Sequence, residues 1–332
     1  MKIKIDNSNL LSTDCLKTSG IGLLRARESN AKTYARTFDC IIQRGVGTHV
    51  WDSNGKEYLD MLACAGALPL GHNHPAIHDE VLAFLRSGQI QQGLDIATPE
   101  KVAFTEELMA SLPVEFAQNV RLHFCGPTGS DAVEAAIKLF KTVTGRRAVV
   151  AFSGGYPLAL IAYDAKYDKW APGAHTGTFR GNQIAMVAGA ATMRLLRDKN
   201  LVGHVQEMGA RLQRGLKGLA RDFDCIGDVR GRGLMFGAEI VSPEGKLDGS
   251  LAKAVKVECF HLGMIIETGG RHGAVLRFLP SLLIEAADID LALQLLGQSI
   301  TNVRASDHAR QRPRRAEADS VFPSTHLQQN DF

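Results

Sequence analysis

The feature that most constrains this chain is a very short link between two apolar segments in its middle. Residues 147–152 and 158–163 both have the composition of buried strands, and only residues 153–157 separate them. Neighbouring parallel strands need a crossover of about a dozen residues or more, usually containing a helix. The sequence therefore predicts an α/β chain in which part of the expected sheet is absent.

A strand, a tight turn and a helix come shortly before this link. Residues 119–125 are apolar enough for a buried strand, residues 126–130 are rich in glycine and hydroxyl groups, and residues 131–142 have helical periodicity. The first N–H groups of a helix are unpaired and lie at the positive end of its dipole, which suits a phosphate. Thr128 or Ser130 would serve equally well as an ordinary helix cap. The residues alone leave both interpretations open.

Elsewhere the spacing of apolar residues alternates between strand and helix patterns. Residues 40–61 predict a β-meander, and residues 225–240 predict two short strands around a glycine turn. Helices are predicted at 76–87, 100–111, 182–197, 202–223 and 251–262, and further strands at 264–267 and 274–278. After about Ser306 the chain becomes polar and arginine-rich, which favours a disordered tail over a nucleic-acid-binding segment.

The composition excludes several classes of protein. Of the 332 residues 45% are hydrophobic and 22% charged, as in ordinary soluble globular proteins. A net charge of +3 gives no reason to expect a nucleic-acid partner. Neither a membrane span nor a secretory signal is visible, so a membrane or secreted protein is not expected. The six cysteines are scattered without a C-x-x-C pair, which favours a reducing cytoplasm and argues against zinc or disulfides.

Two further groups of residues are candidates for a metal site and for carboxylate binding. His74 and His78 stand at helical i, i+4 spacing with His72 close by. Asp79 is adjacent, but no nearby Cys, Asp or Glu completes a convincing ligand set, so no metal site is expected. Arg277 ends a predicted strand just before a proline. An arginine there is either surface charge or the bidentate partner of a carboxylate.

Six blocks of the sequence resemble the class III pyridoxal-phosphate-dependent aminotransferases. Within that class they are most similar to diaminobutyrate–2-oxoglutarate aminotransferases. The blocks are ESNAKTYARTF (28–38), VWDSNGKEYLDMLACAGALPLGHNHP (50–75), SGQIQQGLDIATPEK (87–101), LHFCGPTGSDAVEAAIKL (122–139), PGAHTGTFRGNQIAM (172–186) and VRGRGLMFGAEI (229–240). The resemblance continues in order from residue 28 to about 300, apart from one break.

The resemblance implies the fold-type I PLP-transferase architecture, which is α/β. It places a large domain around a mostly parallel sheet and a small α+β domain built from both chain ends. We accordingly expect an N-terminal extension at 1–27, small-domain segments at 28–65 and 201–305, a large cofactor-binding domain at 66–200 and a tail at 306–332. The large domain would be truncated near 156–157, with its central strands missing. A homodimer that acts on an amino acid and a 2-oxo acid is also implied.

The same resemblance assigns roles to particular residues. Thr128, Gly129 and Ser130 would hold the phosphate of pyridoxal 5'-phosphate, and Thr178 would reach the phosphate of the neighbouring subunit. Arg277 would bind the α-carboxylate of the substrate. Tyr156 is either the aromatic residue that stacks on the cofactor ring or part of the Gly-Gly turn that follows the catalytic lysine.

The break removes the region in which the family carries its chemistry. Transamination needs a lysine that forms a Schiff base with the cofactor and an acid that keeps the pyridine nitrogen protonated. Here FSGGY runs directly into PLALIAYD, with no lysine between Lys141 and Lys166. No acid occurs between Glu134 and Asp164 either. Lys166 and Asp164 belong to a segment that resembles a peripheral helix, so we expect the catalytic lysine to be absent.

Three functions remain open at this point. By family the reaction would move the terminal amino group of 2,4-diaminobutyrate to 2-oxoglutarate, giving aspartate semialdehyde and glutamate. For this chain we expect instead a non-catalytic protein that binds pyridoxal phosphate or phosphate without a covalent bond. The third alternative is a partner that contributes Thr178 to an intact paralogue.

The loss of central strands also predicts a defect in folding. Strands at 147–152 and 158–163 would lack their normal neighbours, and unpaired apolar edges promote aggregation. We expect poor solubility or a loosely packed large domain, measured by light scattering and by thermal unfolding. A monodisperse dimer with a single cooperative melt would contradict this expectation.

Overall fold

The computed structural model describes residues 20–27, 40–126, 128–146, 160–198 and 201–311. Tyr156, the break near 156–157 and the predicted strand at 147–152 lie outside the described residues. The same is true of most of the expected N-terminal extension and of the chain after residue 311. The domain boundaries expected from the resemblance stay a prediction.

The described chain is α/β, and most predicted elements occur within a few residues of their expected positions. The helices are α1 (Ile21–Arg27), α2 (Ala63–Gly66), α3 (Pro75–Arg86), α4 (Pro99–Ser111), α5 (Val114–Ala117), α6 (Gly129–Thr144), α7 (Gln183–Asp198), α8 (Leu201–Asp222), α9 (Gly249–His261) and α10 (Ala286–Gln311). The strands are β1 (Ile42–Val46), β2 (His49–Asp52), β3 (Glu57–Asp60), β4 (Val120–Phe124), β5 (Leu160–Asp164), β6 (Ile226–Arg232), β7 (Met235–Ile240), β8 (Met264–Ile265), β9 (Glu267–Gly269) and β10 (Val275–Phe278). No described helix is long and apolar enough to cross a bilayer.

Strands from the two ends of the chain meet in one sheet. β1, β2 and β3 form the predicted antiparallel meander, and β3 then pairs in parallel with β8. The backbone N–H of Leu59 donates to Gly263 O at 2.8 Å, and that of Met61 donates to Ile265 O at 3.0 Å. The N-terminal meander is therefore held by C-terminal residues, as in a small domain built from both chain ends.

The main hydrophobic core lies beside a second, antiparallel sheet in the order β6-β7-β10-β9. Helices α8 and α9 pack on this sheet, and α10 packs on both helices. Helix α10 was not predicted from the sequence, although its buried residues recur at helical spacing: Ile289, Ala292, Leu296 and Ile300 are each no more than 1% exposed. The helix continues beyond Ser306 to Gln311, so the expected tail begins in helical structure.

The middle of the chain departs from the expected architecture. The strand predicted at 158–163 is found as β5, which runs antiparallel to β4 from Val120 opposite Asp164 to Phe124 opposite Leu160. In the described residues this pair is the whole sheet of the predicted large domain, and the only parallel pair is β3 with β8. The mostly parallel sheet is therefore not found there. Its parallel strands would have to come from segments that the described chain does not contain.

Helix α6 has exposed apolar side chains next to the two-stranded β4–β5 sheet. Its buried face consists of small and aliphatic residues, Ala132, Ala135 and Leu139. On another side of the helix, Val133 is 45% exposed and Phe140 is 65% exposed. This side of α6 is an apolar surface without a covering layer in the described residues.

Two glycines of α8 give a matched test of core packing. A Cβ on Gly209 would overlap the backbone carbonyl of Gly233 in the turn between β6 and β7, whereas one on Gly218 would meet only the end of the Arg221 side chain at 3.9 Å. Gly209→Ala should lower the free energy of unfolding by about 1–3 kcal/mol, because backbone cannot move aside cheaply. Gly218→Ala should raise it by about 0.5–1 kcal/mol through helix propensity. Equal effects in urea unfolding would contradict this packing.

Candidate functional site

The predicted phosphate-binding turn does open a helix. Thr128 is the residue before α6 and has extended backbone angles, φ −125° and ψ 142°. Its hydroxyl accepts a hydrogen bond from the Asp131 N–H at 3.3 Å, so the capping interpretation is correct for Thr128. Thr128 and Ser130 are both exposed, and Gly129 between them is half-buried. The helix start is therefore open to solvent, which leaves room for an anion.

A charged network lies beside this helix start. The Asp131 carboxylate accepts a short hydrogen bond from the Gly126 N–H, and its Oδ1 lies 3.0 Å from His175 Nε2. The Gly126 N–H, followed by His175, holds the pKa of Asp131 below its ordinary value of 3.8. Lys138 Nζ lies 3.3 Å from the other ring nitrogen, His175 Nδ1. Because an ammonium group only donates, Nδ1 must accept and Nε2 carries the ring proton that bonds Asp131.

Several contacts fix the position of the loop before α7. Arg180 donates to the backbone carbonyl of His175 at 2.7 Å and makes a short ion pair with Asp95. The Gly93 N–H donates to Gly181 O at 3.0 Å, and a Cβ on Gly181 would overlap the backbone of Leu94. These contacts fix the position of the 3-10 turn Thr178–Gly181.

Thr178 lies close to the helix start of its own chain. A Cβ on Gly177 would stand 3.9 Å from Gly126 N, so the two turns approach each other directly. Thr178 is exposed, and the neighbouring Phe179 is 60% exposed. The structure thus brings Thr178 and the Thr128–Ser130 turn into one region. The role of Thr178 toward a neighbouring subunit stays a prediction.

The other predicted residues lie elsewhere. Arg277 is in β10, opposite Gly237 and Glu267, and its side chain packs over Gly269 in the C-terminal sheet. Lys166 Nζ is 3.0 Å from Asp164 Oδ2 and stands over the Tyr167 ring. Its side chain is 63% exposed, which agrees with a peripheral position.

Three residues of this region, His123, Cys125 and His175, have no role assigned from the sequence, and two of them are buried. His175 and Cys125 are 7% and 5% exposed. Burial lowers the pKa of His123 below its ordinary 6.5, and it raises the pKa of the Cys125 thiol to about 11. Both groups are therefore neutral near pH 7. His175 stands inside the block PGAHTGTFRGN that carries part of the resemblance, but nothing in the spacing of that block indicated a partnership with Asp131.

The comparison with known families agrees with this architecture. The sequence profile described as aminotransferase class-III matches residues 30–157 and 150–300, most of the chain. The chain belongs to the class-III aminotransferases. Enzymes of this class depend on pyridoxal phosphate.

Several relatives of this chain carry diaminobutyrate aminotransferase names. The diaminobutyrate–2-oxoglutarate aminotransferase of Rhizobium meliloti is 30% identical over 415 positions, covering 80% of this chain and 88% of the relative. The protein of the same name from Haemophilus influenzae is 28% identical over 426 positions, covering 83% and 93%. Both alignments are longer than the 332 residues of the chain, so each relative has positions with no counterpart here.

Solved structures confirm fold-type I. An aminotransferase from Bacillus anthracis superposes with a TM-score of 0.72 at 14% identity, covering 87% of this chain and 98% of the other. A phospholyase from Arthrobacter, solved with phosphoethanolamine, gives a TM-score of 0.70 at 16% identity, covering 84% and 98%. At these identities the similarity concerns the fold alone.

The helix start suits the phosphate of the cofactor, and the rest of the described site does not complete a cofactor pocket. Two exposed hydroxyl residues at the start of a helix, with the Gly177 turn beside them, have the composition of a phosphate cradle, and phosphate binding there stays a prediction. In the described residues beside this turn, Lys138 bonds His175, whose other ring nitrogen bonds Asp131 of the first helical turn. Lys138 also pairs with Glu134 at 3.0 Å, so its ammonium is already engaged.

The cap of α6 gives a direct test of the local structure. Thr128→Ala removes the hydroxyl that accepts from Asp131 N–H and should lower the free energy of unfolding by about 1 kcal/mol. Thr128→Ser keeps the hydroxyl and should remain within a few tenths of a kcal/mol of the parent. Urea unfolding of the three proteins measures the difference. Equal stability of the alanine and serine variants would show that Thr128 does not cap α6.

Proposed function

We propose that this chain derives from a diaminobutyrate–2-oxoglutarate transaminase and binds pyridoxal phosphate through its phosphate without transferring amino groups. The observation that carries the proposal is the run FSGGYPLALIAYD, which joins the strand-like segments 147–152 and 158–163. The residues that join them include no lysine and no acid. The bound cofactor would supply an electron sink for cleavage at the α-carbon of an amino acid. That sink works only with a lysine to move the proton and an acid on the ring nitrogen.

The parts of the site that remain support binding rather than chemistry. Thr128, Gly129 and Ser130 would hold the phosphate through N–H and hydroxyl donors at the positive end of α6. Asp131 does not oppose the phosphate with a free charge, because its carboxylate is bonded to Gly126 and His175. These groups are local to one turn and do not depend on the central strands of a complete sheet.

The ancestral reaction accounts for the other residues. The full-length relatives would move the terminal amino group between L-2,4-diaminobutyrate and 2-oxoglutarate, with aspartate 4-semialdehyde and glutamate as products. Arg277 would bind the carboxylate of either substrate by a bidentate contact. In the present chain it keeps its place in β10, so this half of the substrate site would persist without its catalytic partner.

An interface at Thr178 is the second element of the proposal. Thr178 and Phe179 are exposed side by side, and exposed aromatic side chains of this size are typical of subunit contacts. The turn would face a second subunit, in a homodimer or in a mixed dimer with an intact paralogue. A cytoplasmic location is also proposed, since the described cysteines are all free.

The test is reductive trapping of the cofactor. The purified full-length chain is incubated with pyridoxal phosphate, reduced with borohydride, digested and mapped by peptide mass, with the Haemophilus influenzae relative as the positive control. We expect no lysine to carry the cofactor stoichiometrically. A complete adduct on one lysine, such as Lys166 or Lys138, would overturn the proposal because a substitute for the missing lysine would then exist.

Non-covalent binding is measured in the same preparation by equilibrium dialysis. Removing both hydroxyls in the double variant Thr128→Ala, Ser130→Ala should weaken binding by roughly tenfold or more, as expected for lost hydrogen bonds to a charged group. Arg277→Lys serves as the control and should leave cofactor binding unchanged. If the double variant binds as well as the parent, the phosphate does not lie at α6.

A further inference from the structure

The side chains of His123, Cys125 and His175 form a compact cluster whose ligand atoms all lie within 4.8 Å of one another. Two members come from β4 and its continuation, and the third comes from the loop before α7. His123 Nε2 is shielded from solvent and has no hydrogen-bond partner in the described residues. A buried ring nitrogen without a partner is uncommon in folded proteins and calls for a ligand.

The fold holds the three residues in place. His123 and Cys125 are two residues apart on an extended segment, so their side chains leave the backbone on the same side. The His123 ring lies 4.9 Å from the Trp170 ring and 5.3 Å from the His175 ring, in edge contact with the latter. Arg180 fixes the backbone of His175 through its carbonyl. The cluster is therefore organised without a ligand.

His175 has the orientation of a metal-binding histidine. Its Nε2–H bonds the Asp131 carboxylate at 3.0 Å, so Nδ1 carries the lone pair, which accepts from Lys138. Metal-binding histidines almost always give their second nitrogen to a carboxylate or carbonyl in this way. The Lys138 ammonium lies 3.3 Å from Nδ1, where the metal ion would bind. The ammonium also contacts Glu134 at 3.0 Å and can keep that partner when the ion displaces it from Nδ1.

We propose that His123 Nε2, Cys125 Sγ and His175 Nδ1 bind a single zinc-like divalent ion. Two imidazoles and a thiolate are the donor set that borderline-soft ions prefer, and zinc in particular. Tetrahedral binding at about 2.0–2.3 Å from the metal places ligand atoms roughly 3.3–3.8 Å apart, so the cluster closes by about 1 Å. Binding releases the Cys125 thiol proton to solvent and displaces the Lys138 ammonium, with no change of oxidation state.

The fourth position of the ion opens into a cavity. This space of about 330 Å³ is lined by residues that include His123, His175, Tyr163, Trp170 and Arg180. Three protein ligands with an open fourth position are typical of sites in which water or a small anion completes the coordination. The site is independent of pyridoxal phosphate, because none of its three ligands belongs to the phosphate-binding turn.

Cobalt supplies a test that needs no variant. The full chain is freed of metal with a chelator, kept reduced with a phosphine, and titrated with Co²⁺. One equivalent should produce the visible bands of tetrahedral cobalt together with a thiolate charge-transfer band in the near ultraviolet. Saturation without the thiolate band, or the spectrum of hexahydrated cobalt throughout, would overturn the proposal.

Zinc affinity, measured by competition with a chromophoric chelator, identifies the ligands. Cys125→Ser should weaken binding by at least about 100-fold, and Asp131→Asn by roughly 10–100-fold through loss of the carboxylate that orients His175. Cys64→Ser and His78→Gln, which replace an exposed thiol and an exposed imidazole, are the matched controls and should bind like the parent. Equal affinity of Cys125→Ser and Cys64→Ser would place the metal elsewhere. Failure of the chain to bind pyridoxal phosphate would not affect this result.

Discussion

The pairing of β3 with β8 is the interaction on which the rest of the described structure depends. It brings Leu59 and Met61 from the N-terminal meander into the same core as Ile240, Leu276 and Leu296. Leu279 N–H returns to Met61 O at 2.7 Å, so β3 is bonded to C-terminal backbone at several points. The members of this core all come from residues up to 61 and from 201 onward, so it needs none of the described residues between them. It explains how a chain can lose part of its middle and keep a packed unit.

The middle unit is stabilised differently. Its buried cluster is small, consisting of Cys125, Ala132 and Ala135 with Ile161 and Trp170 beside them. Polar contacts hold the loop before α7 in place. Arg180 pairs with Asp95, and His175 bonds Asp131. A buried network of this sort is rigid only when all its groups are satisfied. Two buried nitrogens of this region, His123 Nε2 and Arg180 Nε, have no hydrogen-bond partner in the described residues. The proposed ion would supply a partner for the first of them.

Sequence patterns predicted local elements well and long-range pairing poorly. The apolar spacing located α3, α4 and α8 because a helix that packs on a core repeats every three or four residues. The turn at Thr128 was also predictable, since glycine and hydroxyl residues before a helix have a specific use. The antiparallel partner of β4 could not be read from the chain, because register between distant strands has no local signal. The His123–His175 contact was not predicted for the same reason. The lack of a C-x-x-C pair led to the expectation of no zinc site, which the proposed site at Cys125 contradicts.

Phosphate binding and transamination make different demands on a fold, and this difference governs what a shortened member of the family can retain. A phosphate cradle needs one strand, one turn and the first N–H groups of one helix, all supplied by neighbouring residues. Transamination needs a lysine, an acid and a carboxylate-binding arginine from separate strands, held together within fractions of an ångström. Removing the middle of a sheet leaves a phosphate cradle unchanged and separates the residues that transamination needs. The capped start of α6, close to the Thr178 turn, is local in this sense, and this is why the proposed function assigns cofactor binding to it and no catalysis.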